Sequence, residues 1–231
     1  FADVEETAIG ATIVKTEYER MLTEDNRDII ITSCCHSINL LIQKHYPQAL
    51  EYLADVVSPM QAHCDDIKKR MPNAKTVFIG PCVAKKDEAE YYEGIVDAVL
   101  TFEELQALFD SRDFDLSSFE EGVLDNASYF GRIFARSGGL TDAAVQAMKE
   151  QNIDFEIKPV VCDGIEACRM ALLKKSKNVL DANFIEGMAC IGGCIGGAGC
   201  LTHGAKDKAE VDKYGREAFE KTITDAVSVL K

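Results

Sequence analysis

The stretch Glu186–Cys200 reads Glu-Gly-Met-Ala-Cys-Ile-Gly-Gly-Cys-Ile-Gly-Gly-Ala-Gly-Cys, and it decides how the rest of the sequence is interpreted. It holds three cysteines and six glycines in fifteen residues. Glycine is entropically costly to order, so such a run indicates backbone that comes very close to another group. Cys190 and Cys194 are four residues apart, which predicts two sulfurs on one side of a helical turn. Thiolates surrounded by backbone N–H groups are typical of an iron–sulfur cluster. The alternative is a glycine-rich turn with cysteines buried as small apolar side chains.

Length, charge and cysteine content restrict the class of protein. A chain of 231 residues can bury a full core, as one large domain or as two lobes. Its 39 acidic and 25 basic residues give a net charge of −14, which repels phosphate backbones and anionic lipid. No apolar run is long enough to cross a bilayer. We therefore expect no nucleic-acid partner and no membrane partner.

The nine cysteines are odd in number and widely spaced, which favours metal ligands in a reducing, cytoplasmic compartment over a disulfide framework. The chain opens at Phe1 without a methionine, so we expect further sequence before it in the intact protein.

Hydrophobic periodicity predicts helices that alternate with short strands. Helices are predicted over residues 7–22, 38–46, 58–71, 101–109, 140–150, 165–175 and 207–231. Strands are predicted at Asp28–Thr32, Lys75–Gly80, Ile95–Leu100 and Phe155–Val161, and a loop over 111–128. This alternation favours an α/β fold with parallel sheets flanked by helices.

Three separate turns carry cysteines that are far apart in sequence: Cys34 with Cys35, Cys82, and Cys190 with Cys194. Groups at the ends of parallel strands converge in one crevice of an open sheet. A cubane cluster needs such convergence, because its four irons point to the corners of a tetrahedron.

The chain resembles the [FeFe]-hydrogenase family at three segments, in the family's order: Thr32–Cys35, Pro81–Glu88 and Glu186–Cys194. Ile133–Gly139 also resembles a family segment. The resemblance covers nearly the whole chain. It implies that residues 1–231 form one H-cluster domain of two lobes, with the metal site in the crevice between them. The N-terminal part of the family domain and any ferredoxin-like modules are then absent from this chain.

The resemblance also implies a cofactor and its ligands. Cys35, Cys82, Cys190 and Cys194 would hold a [4Fe–4S] cluster. Cys194 would also bridge to a diiron subsite that carries CO, CN and a bridging dithiolate. Together these form the H-cluster, which interconverts protons and electrons with dihydrogen. The implied partners are dihydrogen, protons, a ferredoxin or other electron-transfer iron–sulfur module, and a signalling partner.

The roles of individual residues are inferred from the chemistry of their side chains together with this resemblance. Lys85 is a compact cation with three donors, suited to a cyanide ligand, and a solvated lysine is the alternative. Cys34 cannot easily ligate the same cluster as Cys35, because adjacent side chains point apart. By resemblance Cys34 passes protons to the dithiolate. Met188 matches a methionine that packs on the diiron subsite, and filling the core is its alternative. The expected cofactor-binding residues are Ser58, Met60, Pro81 and Lys85.

Several positions depart from the family pattern. His36 replaces a proline, and Met60 replaces a glutamine that would donate to an iron-bound carbonyl. Counted back from Cys34 without gaps, the two relay glutamates of the fast enzymes fall on Val14 and Glu17. Valine carries no proton, so we expect a broken or rerouted path and slow turnover. The pattern resembles the divergent branch of the family that is assigned a sensory role. The alternative is a non-catalytic relative, similar to cytosolic iron–sulfur assembly factors, that keeps only the cubane.

Four cysteines lie outside these motifs: Cys64, Cys162, Cys168 and Cys200. Their spacing matches no familiar metal-site template, so we interpret them as buried structural residues, with a second metal site as the alternative.

Overall fold

The computed structural model describes residues 1–24, 27–122, 124, 127–220 and 222. The strands among these residues are β1 (Ile30–Ile31), β2 (Val77–Ile79), β3 (Ala98–Leu100), β4 (Pro159–Asp163) and β5 (Phe184–Met188). The α-helices are α1 (Ala8–Glu24), α2 (His36–His45), α3 (Pro59–Arg70), α4 (Ala84–Tyr91), α5 (Phe102–Asp110), α6 (Tyr129–Ile133), α7 (Gly139–Glu150), α8 (Ile165–Ser176) and α9 (Asp207–Glu217). Short 3-10 helices occupy Pro47–Tyr52, Leu116–Ser118 and Cys194–Gly196.

The strands form two parallel sheets. One has three strands in the order β1-β5-β4, and the other pairs β2 with β3. Parallel neighbours require crossover connections, which the intervening helices supply. The predicted α/β class with parallel sheets flanked by helices is therefore confirmed, and the two-lobe description stays a prediction.

The three-stranded sheet is covered by helices on both faces. Ile30 and Phe184 pack on one face in a cluster with residues of α1 and α7. Ile31 and Ile185 point to the other face and pack with residues of α2 and α8. Successive strand residues alternate between faces, so a strand buried on both sides must be apolar at both. All five residues of the central strand β5 are buried.

The two-stranded sheet has a smaller core of its own. Met60 and Cys64 of α3 form a buried cluster with Val96, and Phe78 and Val99 pack against it from β2 and β3. Each sheet thus positions its own set of strand ends, and the cysteine motifs are divided between the two sheets.

Predicted helices are confirmed to within a few residues at most boundaries, and the box in which Thr101 and Glu104 cap α5 is present. The strand predicted at 155–161 begins four residues later, at Pro159. Strand β5 and helices α4 and α6 were not predicted. The predicted tail helix is α9, and most of the sequence after residue 220 lies outside the described residues. No helix within the described ranges has the length and apolarity that crossing a bilayer requires.

Candidate metal centre

Each of the three cysteine motifs follows the carboxyl end of a parallel strand. Cys34 and Cys35 lie between β1 and α2, and Cys82 lies between β2 and α4. Cys190 and Cys194 follow β5. Carboxyl ends of parallel strands are where open α/β sheets bind ligands. The cysteines of both sheets therefore lie at the strand ends where such sheets bind ligands, and their convergence on one cluster stays a prediction.

The four thiols expected to hold a cubane influence one another. Burial raises the pKa of Cys82, Lys85 opposes this, and the charge of Cys35 raises it further. Burial also raises the pKa of Cys190, with additional contributions from the charges of Cys82 and Cys35. The pKa of Cys194 is raised by burial first, then by Cys35 and Cys82. Charges influence one another in this way when the groups are neighbours, and joint ligation of one cluster by these four sulfurs stays a prediction.

The donor set fits an iron–sulfur cluster. The thiols of Cys82, Cys190 and Cys194, whose pKa values burial raises, stay protonated until metal ions replace their protons. Within the described part of the chain, no group of three or more His, Cys, Asp or Glu residues is arranged around a single metal ion. A cubane differs from such a site, because each of its four irons takes one thiolate at a separate corner.

The backbone around Cys190 and Cys194 is a tight turn, and the predicted helical turn is wrong. Gly193 has a φ of +88°, and a Cβ at this position would lie 2.5 Å from the backbone nitrogen of Ser137. Asp163 holds the turn from the other side, since its Oδ1 accepts the Gly192 N–H at 2.6 Å and the Ser137 hydroxyl at 2.8 Å. The glycines therefore allow the turn to lie against the segment Ile133–Gly139.

A buried carboxylate ties β5 to the start of α7. Glu186 is fully buried, and its Oε1 accepts the Gly138 N–H at 2.7 Å. Its Oε2 accepts the Thr141 N–H at 2.8 Å and the Thr141 hydroxyl at 2.7 Å. Burial raises the pKa of Glu186, and these hydrogen bonds act against the increase. The positive end of the α7 dipole further favours the ionised carboxylate. Glu186 thus fixes the strand that carries the third motif.

We expect Glu186→Ala to lower the free energy of unfolding by about 3 kcal/mol, because hydrogen bonds to charged groups contribute about 1.5–3 kcal/mol and their loss leaves buried donors unpaired. Urea denaturation of the purified protein measures the change. Glu166→Ala is the control, since Glu166 is an exposed partner of Arg169. A Glu186→Ala variant as stable as the control would show that Glu186 does not fix this strand.

Lys85 is buried beside the first motif. Its Nζ forms an ion pair with Glu88 and donates to the backbone oxygen of Cys34 at 3.2 Å. Burial lowers the pKa of Lys85, but the adjacent Glu88 outweighs this, so the pKa is raised and the side chain stays cationic. Lys86 is the more solvated neighbour that the sequence predicts, because it is half-buried and paired with Glu104 at the surface.

Cys34 is a buried thiol. Burial raises its pKa to about 12, opposed by a hydrogen bond with Tyr18 and by the charge of Lys85. The Tyr18 hydroxyl lies 3.4 Å from the Cys34 sulfur. Such a thiol stays protonated at neutral pH, which is the state that a proton donor requires.

The remaining predicted site residues have identifiable structural contacts. Met188 is buried at the end of β5, and Pro81 accepts the Gly199 N–H at 2.8 Å through its backbone oxygen. Ser58 caps α3 by accepting the Gln61 N–H, and Met60 lies in the core cluster with Cys64. These contacts explain the burial of Ser58 and Met60 without a cofactor, and a cofactor-binding role for either stays a prediction.

Two features near the site were not predicted. Gln61 is buried, its Nε2 donates to the Glu88 backbone oxygen at 3.3 Å, and its Oε1 has no hydrogen-bond partner in the described structure. His36 Nε2 lies 2.6 Å from Asp87 Oδ2 and so links the first motif to α4. The sequence gives little indication of either contact, because Gln61 and Glu88, and likewise His36 and Asp87, are far apart along the chain.

Val14 and Glu17, the two positions where the family's relay glutamates are expected, do not form a buried acidic path. Val14 is part of the core cluster under α1, and Glu17 is exposed and paired with Arg20. A broken or rerouted proton path therefore stays a prediction.

The four other cysteines are buried, as predicted: Cys64, Cys162, Cys168 and Cys200. Cys162 and Cys168 belong to the core cluster beneath α2 and α8. The Cys200 sulfur lies 3.2 Å from the Ile195 backbone oxygen. These surroundings agree with structural roles.

Residues 1–198 match the protein-family model described as iron only hydrogenase large subunit, C-terminal domain. Iron hydrogenase 1 of Clostridium pasteurianum is 28% identical over 241 residues, which cover 85% of this chain and 42% of that protein. The cytosolic Fe-S cluster assembly factor NAR1 of Kluyveromyces lactis is 24% identical, over 68% of this chain and 36% of that protein. The chain thus spans less than half of the length of either relative.

A solved structure of a variant of [FeFe]-hydrogenase HydA1 from Chlamydomonas reinhardtii has a TM-score of 0.77. The two chains are 19% identical, and the match covers 99% of this chain and 78% of that one. The TM-score shows that the two chains share a fold.

Proposed function

Because the chain belongs to the iron-only hydrogenase large-subunit family, we propose that it is an H-cluster domain that interconverts protons and electrons with dihydrogen. The observation that carries the proposal is the placement of the three cysteine motifs at the ends of parallel strands. Burial and the charges of neighbouring cysteines raise the pKa values of Cys82, Cys190 and Cys194, which supports a common site. We assign the cubane to Cys35, Cys82, Cys190 and Cys194, and the bridge to the diiron subsite to Cys194.

When bound, the H-cluster supplies the electrons and the iron coordination site at which dihydrogen is formed or split. The chain's own residues would bind this group and deliver protons to it. Lys85 is a buried cation whose Nζ is restrained by Glu88 and by the Cys34 carbonyl, and it would bind a cyanide ligand. Cys34 is a neutral thiol that would donate a proton. Met188, Pro81, Ser58 and Met60 would line the diiron subsite.

We propose slow turnover with a hydrogen-sensing output. The exposed Glu17 and the core residue Val14 supply no acidic path, and Met60 cannot donate a hydrogen bond. The electron donor would be a ferredoxin or another iron–sulfur module, and a sensing role also requires a signalling partner. The free thiols of all nine cysteines support a reducing, cytoplasmic location.

The second candidate is a non-catalytic iron–sulfur protein that holds only the cubane. The similarity to the NAR1 assembly factor favours it, as does the burial of Met60 in a hydrophobic cluster. A cubane alone requires neither Cys34 as a proton donor nor Lys85 as a cyanide donor.

Infrared spectroscopy of the fully matured protein separates the two candidates. We expect bands of metal-bound carbonyl and cyanide, together with hydrogen evolution slower than that of the fast family members, because proton delivery is impaired. Hydrogen evolution is measured with a chemical reductant. An iron–sulfur chromophore without carbonyl and cyanide bands would support the non-catalytic candidate. Turnover as fast as that of the highly active enzymes would contradict the sensory assignment.

A further inference from the structure

Residues 102–122, which comprise α5 and the loop after it, form an exposed apolar surface. Five large apolar side chains in this stretch are between 36% and 61% exposed: Phe102, Leu108, Phe114, Leu116 and Phe119. No residue of α5 is buried. Single exposed apolar side chains are common on proteins, whereas a contiguous set of them marks an interaction site.

The apolar side chains of this surface are contiguous. Phe102, Leu105 and Phe109 are spaced by three and four residues, so they lie along one face of α5. The centroid of the Phe114 ring lies 6.2 Å from that of Phe109 and 6.1 Å from that of Phe119. The Phe114 N–H donates to the Phe109 backbone oxygen at 3.1 Å, which folds the loop back onto the end of α5. The stripe on the helix therefore continues into the loop as a row of aromatic rings.

Carboxylates surround this apolar row. Residues 102–122 contain one basic residue, Arg112, and seven acidic residues, whereas the whole chain of 231 residues contains 39 acidic ones. The seven are Glu103, Glu104, Asp110, Asp113, Asp115, Glu120 and Glu121. By helical spacing, Glu103 and Asp110 flank the stripe of α5 on one side and Glu104 flanks it on the other. Within the described part of the chain, only Glu104 of these seven forms an ion pair, with Lys86. The other six carboxylates therefore leave a negative charge that the protein itself does not neutralise.

This charge discriminates among the molecules that could cover the apolar row. A second copy of the chain also has a net charge of −14, and pairing two such surfaces would place like charges against each other. Nucleic acid and anionic lipid are repelled for the same reason. A row of apolar side chains along a helix, with charges on both sides, is complementary to an amphipathic helix whose apolar residues recur every three or four positions. Lysine and arginine beside that helix's apolar residues would meet the carboxylates.

We propose that residues 102–122 dock a basic amphipathic helix of a partner protein. The apolar residues of that helix pack on the row from Phe102 to Phe119, and its lysine and arginine side chains pair with the flanking carboxylates. The inference does not rest on the proposed function, because none of the residues assigned to the metal centre lies in this surface. The ion pairs are exposed, so salt screens them and weakens the complex.

Titration of the purified protein with a synthetic peptide tests the proposal. The probe is a fluorescent helical peptide of about 18 residues, with leucine at every third or fourth position and lysine elsewhere. The reference peptide has glutamate in place of lysine. We expect the lysine peptide to bind, with an affinity that falls as salt is added, and the glutamate peptide not to bind. Amide hydrogen–deuterium exchange should slow within residues 102–122 when the lysine peptide is bound.

Variants locate the binding site, which is necessary because an acidic protein attracts basic peptides in general. Phe119→Ala removes an exposed ring from the row. Asp110→Lys reverses one flanking charge in the last turn of α5, where a cation is favourable to the helix. We expect each change to weaken binding of the lysine peptide about 10-fold. Phe155→Ala and Asp154→Lys are the matched controls, because they make the same changes at exposed positions elsewhere and should bind like the wild type.

Equal affinity of the wild type, Phe119→Ala and Asp110→Lys for the lysine peptide would overturn the proposal. Equal affinity of the wild type for the lysine and glutamate peptides would overturn it as well. Sedimentation of the protein alone tests the other occupant. A dimeric wild type with a monomeric Phe119→Ala variant would assign the surface to a second copy of the chain, and the proposed partner helix would then be wrong.

Discussion

Replacement of Cys82 by alanine is expected to remove most of the cluster iron and to abolish hydrogen conversion. Cys82 follows β2, so it supplies the expected ligand from the two-stranded sheet, while the other three follow strands of the three-stranded sheet. No equivalent thiol is expected to replace it, because the next cysteine in that sheet's core, Cys64, is buried in a hydrophobic cluster. Since binding of a structural metal group contributes to folding free energy, the variant should also unfold more easily.

Iron and sulfide analysis of the anaerobically purified protein measures this loss, and thermal unfolding measures the change in stability. Cys64→Ala is a matched control, because it removes one buried thiol and keeps all four expected ligands. It should keep its full iron content. Four irons per chain in Cys82→Ala would show that Cys82 is not a ligand, and the assignment of the second motif would then be wrong.

Local sequence patterns predicted the elements whose stability arises locally. The apolar spacing of α1 and the Thr101–Glu104 box of α5 lie within single helices, so they can be recognised without tertiary information. The cysteine-bearing turns after β1 and β2 were predicted for a similar reason. A β-branched run that gives way to a short polar or glycine- and proline-containing segment defines the strand end by itself.

The central strand β5 was missed because its signal is not local. Glu186 and Gly187 interrupt the apolar run, and neither favours a strand. In the structure, β5 pairs with β1 on one side and β4 on the other, and α7 supplies the donors that satisfy the buried Glu186. Partners far along the chain therefore override the weak intrinsic preference.

The geometry of the third motif could not be predicted for the same physical reason. Four-residue spacing of Cys190 and Cys194 fits a helical turn, but Gly193 adopts a positive φ against the segment around Arg136 and Ser137. That contact joins residues more than fifty positions apart. The link between Tyr18 and Cys34 was hidden in a similar way, because Tyr18 read as an apolar position of an amphipathic helix and its hydroxyl partner lies on another element.

The Cys34→Ala variant is expected to keep its iron and its carbonyl and cyanide bands while hydrogen evolution falls by about 10²–10⁴-fold, the contribution of a positioned general acid. The change removes a thiol that burial keeps protonated, and it removes no expected metal bond. The contacts of Cys34 support a role as proton donor and not as metal ligand. Lys85 donates to the Cys34 carbonyl, while Tyr18 contacts the Cys34 sulfur. The Cys34 side chain is therefore directed toward α1, and its neighbour Cys35 belongs to the opposite core cluster beneath α2 and α8.

Cys34→Ser distinguishes proton donation from packing. Serine has nearly the size of cysteine but a hydroxyl that is a far weaker acid, so it should restore little of the lost hydrogen evolution. If packing were the cause, serine would restore most of it. Loss of iron in Cys34→Ala would show that Cys34 is a ligand and that the assignment at this turn is shifted by one residue. Full hydrogen evolution with intact iron would show that protons reach the site without Cys34.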